Sequence, residues 1–543
     1  MSKARVDGRW PLPAIALALF LACDDTNPEV TNPEGPAAGA PQGGSDTDSG
    51  GSKGARAGSS GAGATSMTSN VGEGGAAAAA GSGGVDAGDA GSATSAGASA
   101  AGASGAVGVG DVAGAAGAIV AAGGAGGASE VSAGSAAGAT GIAGAAGAGG
   151  DSGCGAASTP PPTLCDGKLE FAIDHVAAGN DPYSIVSGYL NCDANLDLVV
   201  TNVNNNYGSV SVLLGNGDGT FEPAVNYSVG GYMPRSMAIG RFDGDDDLDL
   251  VVMSYGGMGA ILSSVPGNGD GTFGLATAYG LYDGILYPTS GLEAGDFDED
   301  GHQDLAVTNL NSSDRGYVTV LFGNSTGAFA RPDVWYGYNY DGTGFVIADY
   351  FDADSHLDLA WTNIAGGVSL YANEPGELGT FSSLDGIPFQ GVMPRGLSSG
   401  DFDKDGDVDL VTVTSNGTDP GNQAAVSLNN GDGTFAEVVD YASGVNPTSV
   451  ISADFSGDGQ LDLAVGHMMS NLQGTELGLL LGMGDGTFKE VTQYPASDVK
   501  PLQVSGPRTL TSGDFDNDGN LDIAMANVDG DDVTIFRRTG CEL

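Results

Sequence analysis

Basic residues are scarce in this sequence. It contains 17 Lys and Arg residues against 68 Asp and Glu residues, which gives a formal net charge of -51 at pH 7. A nucleic-acid-binding surface needs Lys and Arg to neutralise phosphates, so this balance argues strongly against a nucleic-acid partner. Divalent cations are the more natural partners of so many carboxylates.

Cysteine and histidine are rare as well. The chain has five Cys and four His residues, no CxxC pair and no Cys/His cluster, so a structural zinc site is not expected. The metalloprotease pattern H-E-x-x-H is also missing. Acidic pairs are abundant, but the repeat described below accounts for most of them. We therefore expect no enzymatic activity.

The N-terminus predicts export. Three basic residues among the first nine precede the apolar run Leu12–Ala22, which is too short for a transmembrane helix but suits a signal peptide over residues 1–22. The run ends in Leu-Phe-Leu-Ala-Cys, which resembles a bacterial lipobox and implies lipidation of Cys23. The alternative is ordinary cleavage near Ala22. We expect an outer-membrane or cell-surface lipoprotein, held at the membrane through its lipid anchor only, with a secreted protein as the alternative.

Residues 23–162 have the composition of a disordered tether. The segment consists largely of Gly, Ala, Ser and Thr with almost no aromatic residues. Such a sequence cannot bury enough apolar area to offset the entropy lost on ordering. As a flexible Gly-rich coil it would span on the order of 60–70 Å, which is enough to hold a domain clear of a membrane.

A repeat becomes visible in residues 163–543. Its clearest copies follow the pattern D-F-D-x-D-G-x-x-D and lead into an apolar strand, a second strand and a turn of the type G-N-G-D-G-T-F. Asp-Gly between strands predicts a hairpin. Seven copies at intervals of about 50–60 residues predict an all-β fold, a seven-bladed β-propeller with four short strands per blade. The last Asp of each copy is Asp197, Asp249, Asp304, Asp358, Asp409, Asp462 and Asp522.

The spacing of the acids predicts calcium binding. A hard cation takes six to eight oxygen ligands, and alternate residues of a tight loop can direct carboxylates at one point while Gly permits the bend. Asp at the ninth position is expected to complete the ligand set. Three loops carry the full pattern: Asp296, Asp298, Asp300 and Asp304; Asp401, Asp403, Asp405 and Asp409; Asp514, Asp516, Asp518 and Asp522.

The other four loops are degenerate. One replaces a carboxylate by a hydroxyl (Asp454, Ser456, Asp458 and Asp462) and is still expected to bind calcium. Two lack the first carboxylate, because Arg241 or Tyr350 stands there, and form weaker candidate sites: Asp243, Asp245 and Asp249; Asp352, Asp354 and Asp358. The first blade has the weakest pattern. The alternative for the weak loops is an Asx-turn that folds without metal.

These motifs resemble FG-GAP/VCBS repeats, the type of blade that forms the propeller of integrin α-subunits. The resemblance covers roughly residues 166–541. It implies a propeller with Ca²⁺ held in loops between strands, and a role in adhesion or ligand binding. The ligand would be an extracellular protein or a glycan.

The repeat also predicts how the ring closes. The last blade ends after Asp532–Phe536 without its outer strand, and the segment Asp166–Gly179 resembles the missing piece. The same alignment places Cys165 and Cys541 on the two sides of one hairpin turn and predicts a disulfide, with a loop-closure contribution of roughly 4–5 kcal/mol. Cys154 and Cys192 are then left to pair. The alternative is a bond between Cys154 and Cys165.

Two interpretations of function remain open from the sequence. The first is a calcium-stabilised surface module for adhesion, ligand binding or scaffolding, and the second is a lyase or hydrolase that acts on polysaccharide with a propeller face. The aromatic run Trp335–Tyr340 is a candidate glycan platform, although an ordinary outer strand is the favoured interpretation. His302 and His356 occupy loop positions that do not bind metal and are expected to face solvent.

Overall fold

The computed structural model describes residues 159–542 with short gaps at 204–206, 257–258, 281–284, 312–315, 331–335, 340–342, 364–366, 377, 389–392, 416–421, 468–476, 496–506 and 529. The predicted signal peptide, nearly all of the tether, Cys23 and Cys154 lie outside the described residues. The described residues form β-strands and turns and no helix. Accordingly, nothing in this part of the chain is an apolar helix of membrane-spanning length.

Seven antiparallel sheets form the seven blades of the predicted β-propeller. Blade 1 contains β2 (Pro182–Gly188), β3 (Asp197–Asn202), β4 (Ser209–Leu213) and β5 (Val225–Ser228). Blade 2 contains β6 (Tyr232–Gly240), β7 (Asp249–Tyr255), β8 (Ala260–Val265) and β9 (Thr277–Gly280). Blade 3 contains β10 (Ile285–Gly295), β11 (Asp304–Asn311), β12 (Gly316–Leu321) and β13 (Tyr336–Asn339). Blade 4 contains β14 (Thr343–Asp349), β15 (Asp358–Asn363), β16 (Gly367–Asn373), β17 (Phe381–Ser383) and the short β18 (Ile387–Pro388).

The remaining blades follow the same order. Blade 5 contains β19 (Met393–Gly400), β20 (Asp409–Ser415), β21 (Gln423–Ser427) and β22 (Val439–Ala442). Blade 6 contains β23 (Pro447–Ala453), β24 (Asp462–His467), β25 (Leu477–Leu480) and β26 (Thr492–Tyr494). Blade 7 contains β27 (Pro507–Gly513), β28 (Asp522–Asn527), β29 (Asp532–Glu542) and, as its outermost strand, β1 (Lys168–Ala177).

Burial along the strands explains the apolar runs of the sequence. Every residue of β3 and of β24 is buried, because the second strand of a blade is covered on both faces by neighbouring blades. The fourth strands β5 and β22 are mostly exposed at the rim of the ring. One apolar cluster joins blades 7, 1 and 2, with Phe515, Ile185 and Met237 among its buried members. The core therefore lies between the blades.

The first and the last strands of the propeller lie together in blade 7, as the sequence predicted. Strand β1 pairs antiparallel with β29, and Leu169 lies opposite Cys541 in this ladder. A disulfide joins Cys165 to Cys541, with 5.6 Å between their Cα atoms and 376 positions between them in the chain. The predicted pairing is confirmed, so the alternative bond between Cys154 and Cys165 is wrong. Cys192 is also disulfide-bonded.

The connections divide the ring into two faces. The first connection of each blade carries the acidic repeat, and we call these nine residues the Asp loop of that blade: 189–197, 241–249, 296–304, 350–358, 401–409, 454–462 and 514–522. The turn between the third and fourth strands emerges on the same side, which we call the Asp-loop face. The remaining connections emerge on the opposite face.

The aromatic run in blade 3 belongs in part to an outer strand. Tyr336, the first residue of β13, is buried, and its hydroxyl donates a hydrogen bond to the carbonyl of Gly379 in blade 4. This ring packs inward, as the favoured interpretation expected. Trp335 and Tyr340 lie outside the described residues.

Candidate metal centres

The Asp loops bring carboxylates together in five of the seven blades. In each of these groups three residues offer oxygen atoms that lie within 4.8 Å of one another. The groups are Asp243, Asp245 and Asp249; Asp296, Asp298 and Asp300; Asp352, Asp354 and Asp358; Asp401, Asp403 and Asp409; Asp514, Asp516 and Asp522. The two loops considered weak from the sequence are therefore among the five.

The remaining predicted ligands lie in the same loops but outside these groups. Asp304, Asp405 and Asp518 are the members of the three complete loops that the groups omit. In blade 6, Asp454, Asp458 and Asp462 form no such group of three, and the hydroxyl of Ser456 lies 3.4 Å from Oδ1 of Asp454. Blade 1 forms no group either, among the residues that the structure describes.

Two left-handed residues shape each complete loop. The sixth residue is Gly301, Gly406 or Gly519, with φ between 87° and 99°, as the predicted bend requires. The fourth residue is also left-handed, although it is Glu299, Lys404 or Asn517. This second reversal was not predicted, because Glu and Lys have no preference for positive φ, and Asn, which has one, stands at this position in only one of the three complete loops.

The first Asp of a complete loop organises the backbone around it. Oδ1 and Oδ2 of Asp296 accept hydrogen bonds from the N–H groups of Asp300 and Gly301, at 3.0 Å each. Asp514 makes the same two contacts with Asp518 and Gly519. In blade 5, Oδ1 of Asp401 is buried without a hydrogen-bond partner. An orphaned carboxylate oxygen beside two further carboxylates fits a cation, because its burial is otherwise uncompensated.

The ninth Asp connects two backbone segments in every blade. Its side chain is fully buried in all seven. One oxygen accepts from an N–H near the start of the loop. The other accepts from an N–H of the third strand in blades 4 and 7, and from an N–H just after that strand in the other five blades. For Asp409 these donors are Phe402 and Asn429, both at 2.8 Å. We call this pair of contacts the Asp clamp; the sequence did not predict it.

Burial changes the acidity of the clamp residues. Desolvation is the largest influence, and the two backbone hydrogen bonds oppose it only in part. Their pKa values are raised to about 7 in blades 1, 3, 4, 5 and 6, to about 6 for Asp249 and to about 8 for Asp522. Neighbouring carboxylates of the same loop add to the increase. A divalent cation in the loop would reverse this effect by favouring the ionised form.

Most Asp loops also contact the next blade. In five of them the carbonyl of the second residue accepts a hydrogen bond from the following blade, as Phe515 does from the N–H of Gly219 at 3.0 Å. In blades 4 and 5 the donor is the side-chain amide of Asn373 or Asn429, at 2.8 and 3.0 Å. The same type of contact joins loop 1 to blade 2 and loop 5 to blade 6. A change in loop conformation is therefore transmitted to the neighbouring sheet.

Basic side chains lie close to some of these loops. Arg537 forms an ion pair with Asp174 at 3.0 Å and lies 3.5 Å from Oδ2 of Asp516, a predicted ligand of blade 7. His356 does not simply face solvent as expected, because its Nδ1 lies 2.5 Å from Oε1 of Glu299 in the preceding loop. The contact between His356 and Glu299 joins residues of different blades, so the order of residues within one repeat does not reveal it.

A Gly-x-Ser-x-Gly pattern at Gly396–Gly400 lies within strand β19. A hydrolase nucleophile of this pattern sits on an exposed turn between a strand and a helix. Here Ser398 is buried, and its hydroxyl is 3.0 Å from that of Ser452 in the next blade. This serine packs between blades and lacks the geometry of a nucleophile.

Comparison with known proteins places the repeats in one family. The family model of FG-GAP-like repeats matches residues 189–252, 351–412, 401–465 and 470–525, and the FG-GAP repeat model matches residues 289–321. Together these matches reach the Asp loops of all seven blades.

Two further similarities were found. Cartilage acidic protein 1 of Xenopus tropicalis is 25% identical over 335 residues, covering 54% of this chain and 48% of that protein, so the chain spans about half the length of this curated relative. A chain from a crystal structure of BBS1N in complex with ARL6DN, soaked with mercury, superimposes with a TM-score of 0.41 and 12% identity over 69% of this chain and 98% of that chain. On the evidence of these matches, the chain contains FG-GAP repeats, and its described residues form a seven-bladed propeller.

Proposed function

We propose that the protein is an exported, calcium-stabilised propeller that acts at the cell surface as an adhesion, ligand-binding or scaffold module. The single observation that carries the calcium part is the convergence of three carboxylates in each of five Asp loops. Mutual repulsion of such groups in partly buried loops is costly unless a cation compensates it.

Calcium would be held by the first, third, fifth and ninth residues of the complete loops. When bound, the ion supplies a centre of positive charge that oxygen ligands surround. The protein supplies the two left-handed residues that direct the carboxylates inward and the Asp clamp that fixes the ninth. Because most loops are hydrogen-bonded to the next blade, ions held in several loops would stiffen the ring.

The contacts of the buried acids favour binding over catalysis. Each clamp carboxylate already accepts hydrogen bonds from backbone groups on two sides, and its raised pKa follows from burial. Such a residue is not positioned to exchange protons with a substrate. This is why we place a polysaccharide lyase or hydrolase second.

The opposite face offers a surface for the ligand. Tyr207 and Tyr232, from blades 1 and 2, are 72% and 41% exposed, and their rings stack with centroids 6.0 Å apart. Exposed tyrosine rings combine an apolar surface with a polar hydroxyl, which suits contact with a protein or a glycan. We propose that the extracellular ligand contacts this pair.

The disulfides support export. The bond between Cys165 and Cys541, together with the bonded state of Cys192, is typical of a protein that matures in an oxidising compartment. We propose further that the chain is anchored through lipid on Cys23, with the low-complexity segment as the spacer between the membrane and the propeller.

Calorimetric melting of the full chain with calcium and with a chelator, together with a count of bound ions, tests the proposal. We expect at least three ions and a large rise in melting temperature with calcium. Asp298→Asn should lower the count by one. The control Asp385→Asn, at an exposed position between β17 and β18, should leave it unchanged. Equal melting temperatures and no bound ion would refute the calcium role.

A further inference from the structure

A short segment before the first strand lies across two Asp loops. We call residues 160–165 the strap. The N–H of Thr163 donates a hydrogen bond to Oδ1 of Asn520 in the loop of blade 7, and the N–H of Cys165 donates to the carbonyl of Ser456 in the loop of blade 6, both at 2.8 Å. The fit is close, since a side chain at Gly519 would collide with the carbonyl of Pro160.

The buried side chain of Arg538 is hydrogen-bonded to the strap. Its guanidinium donates from Nη2 to the carbonyl of Thr163 and, at 3.2 Å, to the carbonyl of Ser456, and the residue is only 2% exposed. Its backbone N–H donates to the clamp carboxylate of Asp522 at 2.8 Å. Asn429 occupies the corresponding position of blade 5, where its backbone N–H donates to the clamp carboxylate of Asp409. Its side chain is shorter than that of Arg538, and its amide donates to the carbonyl of Phe351 in the loop of the preceding blade. One buried arginine therefore contacts the strap and the loop of blade 6 through its side chain, and the loop of blade 7 through its backbone.

The disulfide fixes one end of the strap. Cys165 is the last strap residue, is 1% exposed, and is bonded to Cys541 in β29, the strand that also carries Arg538. The strap is thus held covalently at one end and by hydrogen bonds to two Asp loops along its length. All of these contacts require the loops of blades 6 and 7 to keep their folded shape.

We propose that metal binding in the Asp loop of blade 7 and closure of the strap stabilise each other, so that calcium protects the disulfide between Cys165 and Cys541. This inference rests on the calcium binding proposed above. An ion in the loop of blade 7 and the strap both favour the loop conformation in which Asn520 presents its acceptor to the N–H of Thr163. Two events that favour one conformation are coupled, and the coupling acts in both directions.

Reduction of the disulfide provides the measurement. A dithiol thiolate attacks one sulfur to give a mixed disulfide and a cysteine thiolate, and the second thiol of the reagent then displaces the other cysteine. The reagent leaves as a cyclic disulfide, having lost two electrons and two protons, and Cys165 and Cys541 become thiols. Cys165 is itself the end of the strap and is 1% exposed, so attack on its sulfur requires the strap to lift.

The experiment follows reduction of the full chain by dithiothreitol, in calcium and in chelator, by alkylation and mass spectrometry of the peptide that contains Cys541. We expect reduction to be roughly tenfold slower in calcium, within the range of typical coupling between sites. Asp516→Asn, in the loop of blade 7, should remove much of this protection. Asp298→Asn, at the matching position of blade 3 and away from the strap, should retain it.

A third variant keeps the metal loops intact. Thr163→Pro removes the N–H that Asn520 accepts, and it should speed reduction in calcium without changing the number of bound ions. Equal reduction rates with and without calcium, in a chain that binds ions, would overturn the coupling and leave the proposed function standing. Loss of protection in Asp298→Asn as large as in Asp516→Asn would overturn it as well, because the effect would then belong to the whole ring. A chain that binds no calcium would refute both proposals.

Discussion

Glu299 and His356 join the Asp loops of two neighbouring blades, with Oε1 of the glutamate 2.5 Å from Nδ1 of the histidine. Glu299 is the left-handed fourth residue of loop 3, and His356 is the seventh residue of loop 4. The ion pair thus adds a side-chain link between two loops that are already coupled, because the carbonyl of Phe297 in loop 3 accepts a hydrogen bond from Asn373 in blade 4.

The link between these loops should depend on pH. The hydrogen bond to Glu299 raises the pKa of His356 above 6.5, so the folded chain holds this proton more tightly than the unfolded chain. The stabilisation by this ion pair is complete below pH 6.5 and is lost as the pH rises through the raised pKa of His356. Glu299→Gln should return the pKa of His356 towards 6.5, as NMR titration of the ring would show. It should lower the free energy of unfolding at pH 6 by up to about 1 kcal/mol, because the glutamate is half exposed.

The same variant should have little effect at pH 8.5, where the histidine is largely neutral in either chain. Glu437→Gln, at an exposed position in blade 5, is the control and should leave the histidine titration unchanged. A histidine pKa that does not move in Glu299→Gln would contradict the assignment of the link.

The metal-free chain should become less stable as the pH rises. Burial raises the pKa of Asp304 and Asp409 to about 7, and that of Asp522 to about 8, whereas unfolded Asp titrates near 3.8. Between these values the folded chain binds more protons than the unfolded chain, so the free energy of unfolding falls with increasing pH. Urea denaturation in chelator should give a higher midpoint at pH 5 than at pH 8.

Excess calcium should reverse this order, since protons compete with the cation for the same carboxylates. A chain with a higher urea midpoint at pH 8 than at pH 5 in chelator would show that the clamp residues are ionised throughout. The comparison needs only one protein and four conditions.

The repeat carries enough information to predict the architecture. A spacing of about 50–60 residues sets the size of a blade, and the incomplete seventh copy indicates that the N-terminal segment must supply its outer strand. The strand β1 and the bond between Cys165 and Cys541 follow from that alignment. Each of these predictions depends on comparing one repeat with another, which a single sequence with seven copies allows.

Several contacts of individual side chains could not be predicted in this way. The second role of the ninth Asp depends on which backbone N–H groups lie near its buried oxygens, and these belong to residues such as Gly215 that are distant in the repeat. The links of Glu299 with His356, and of Arg538 with the strap, join residues that differ from their counterparts in other blades. A residue that differs from its counterparts in the other repeats reveals its contact only when the position of its structural neighbours is known.

Membrane attachment should depend on Cys23. If this residue is lipidated after cleavage of the signal peptide, the mature chain partitions into detergent and sediments with membranes. Cys23→Ser should shift the chain to the soluble fraction without changing the calcium-dependent melting of the propeller. A chain that stays soluble with Cys23 intact would support secretion after ordinary cleavage near Ala22.

The Asp clamp can be separated from metal binding in blade 1. Asp197 is fully buried and accepts hydrogen bonds from Leu190 at 2.9 Å and from Gly215 at 2.8 Å, although its loop gathers no group of three carboxylates among the described residues. In Asp197→Asn an amide group replaces one of the two accepting oxygens, which leaves a backbone N–H facing a donor. We expect a loss of about 1–3 kcal/mol in the free energy of unfolding.

This loss should be the same in calcium and in chelator, because the change leaves the ligand groups of the other blades untouched. Asp298→Asn is the matched comparison, since it alters a proposed ligand outside the clamp and should destabilise the chain in calcium but hardly at all in chelator. Urea denaturation of the two variants in both solutions measures the difference. A loss for Asp197→Asn that appears only in calcium would mean that blade 1 binds an ion through this residue, and that its clamp contacts contribute little by themselves.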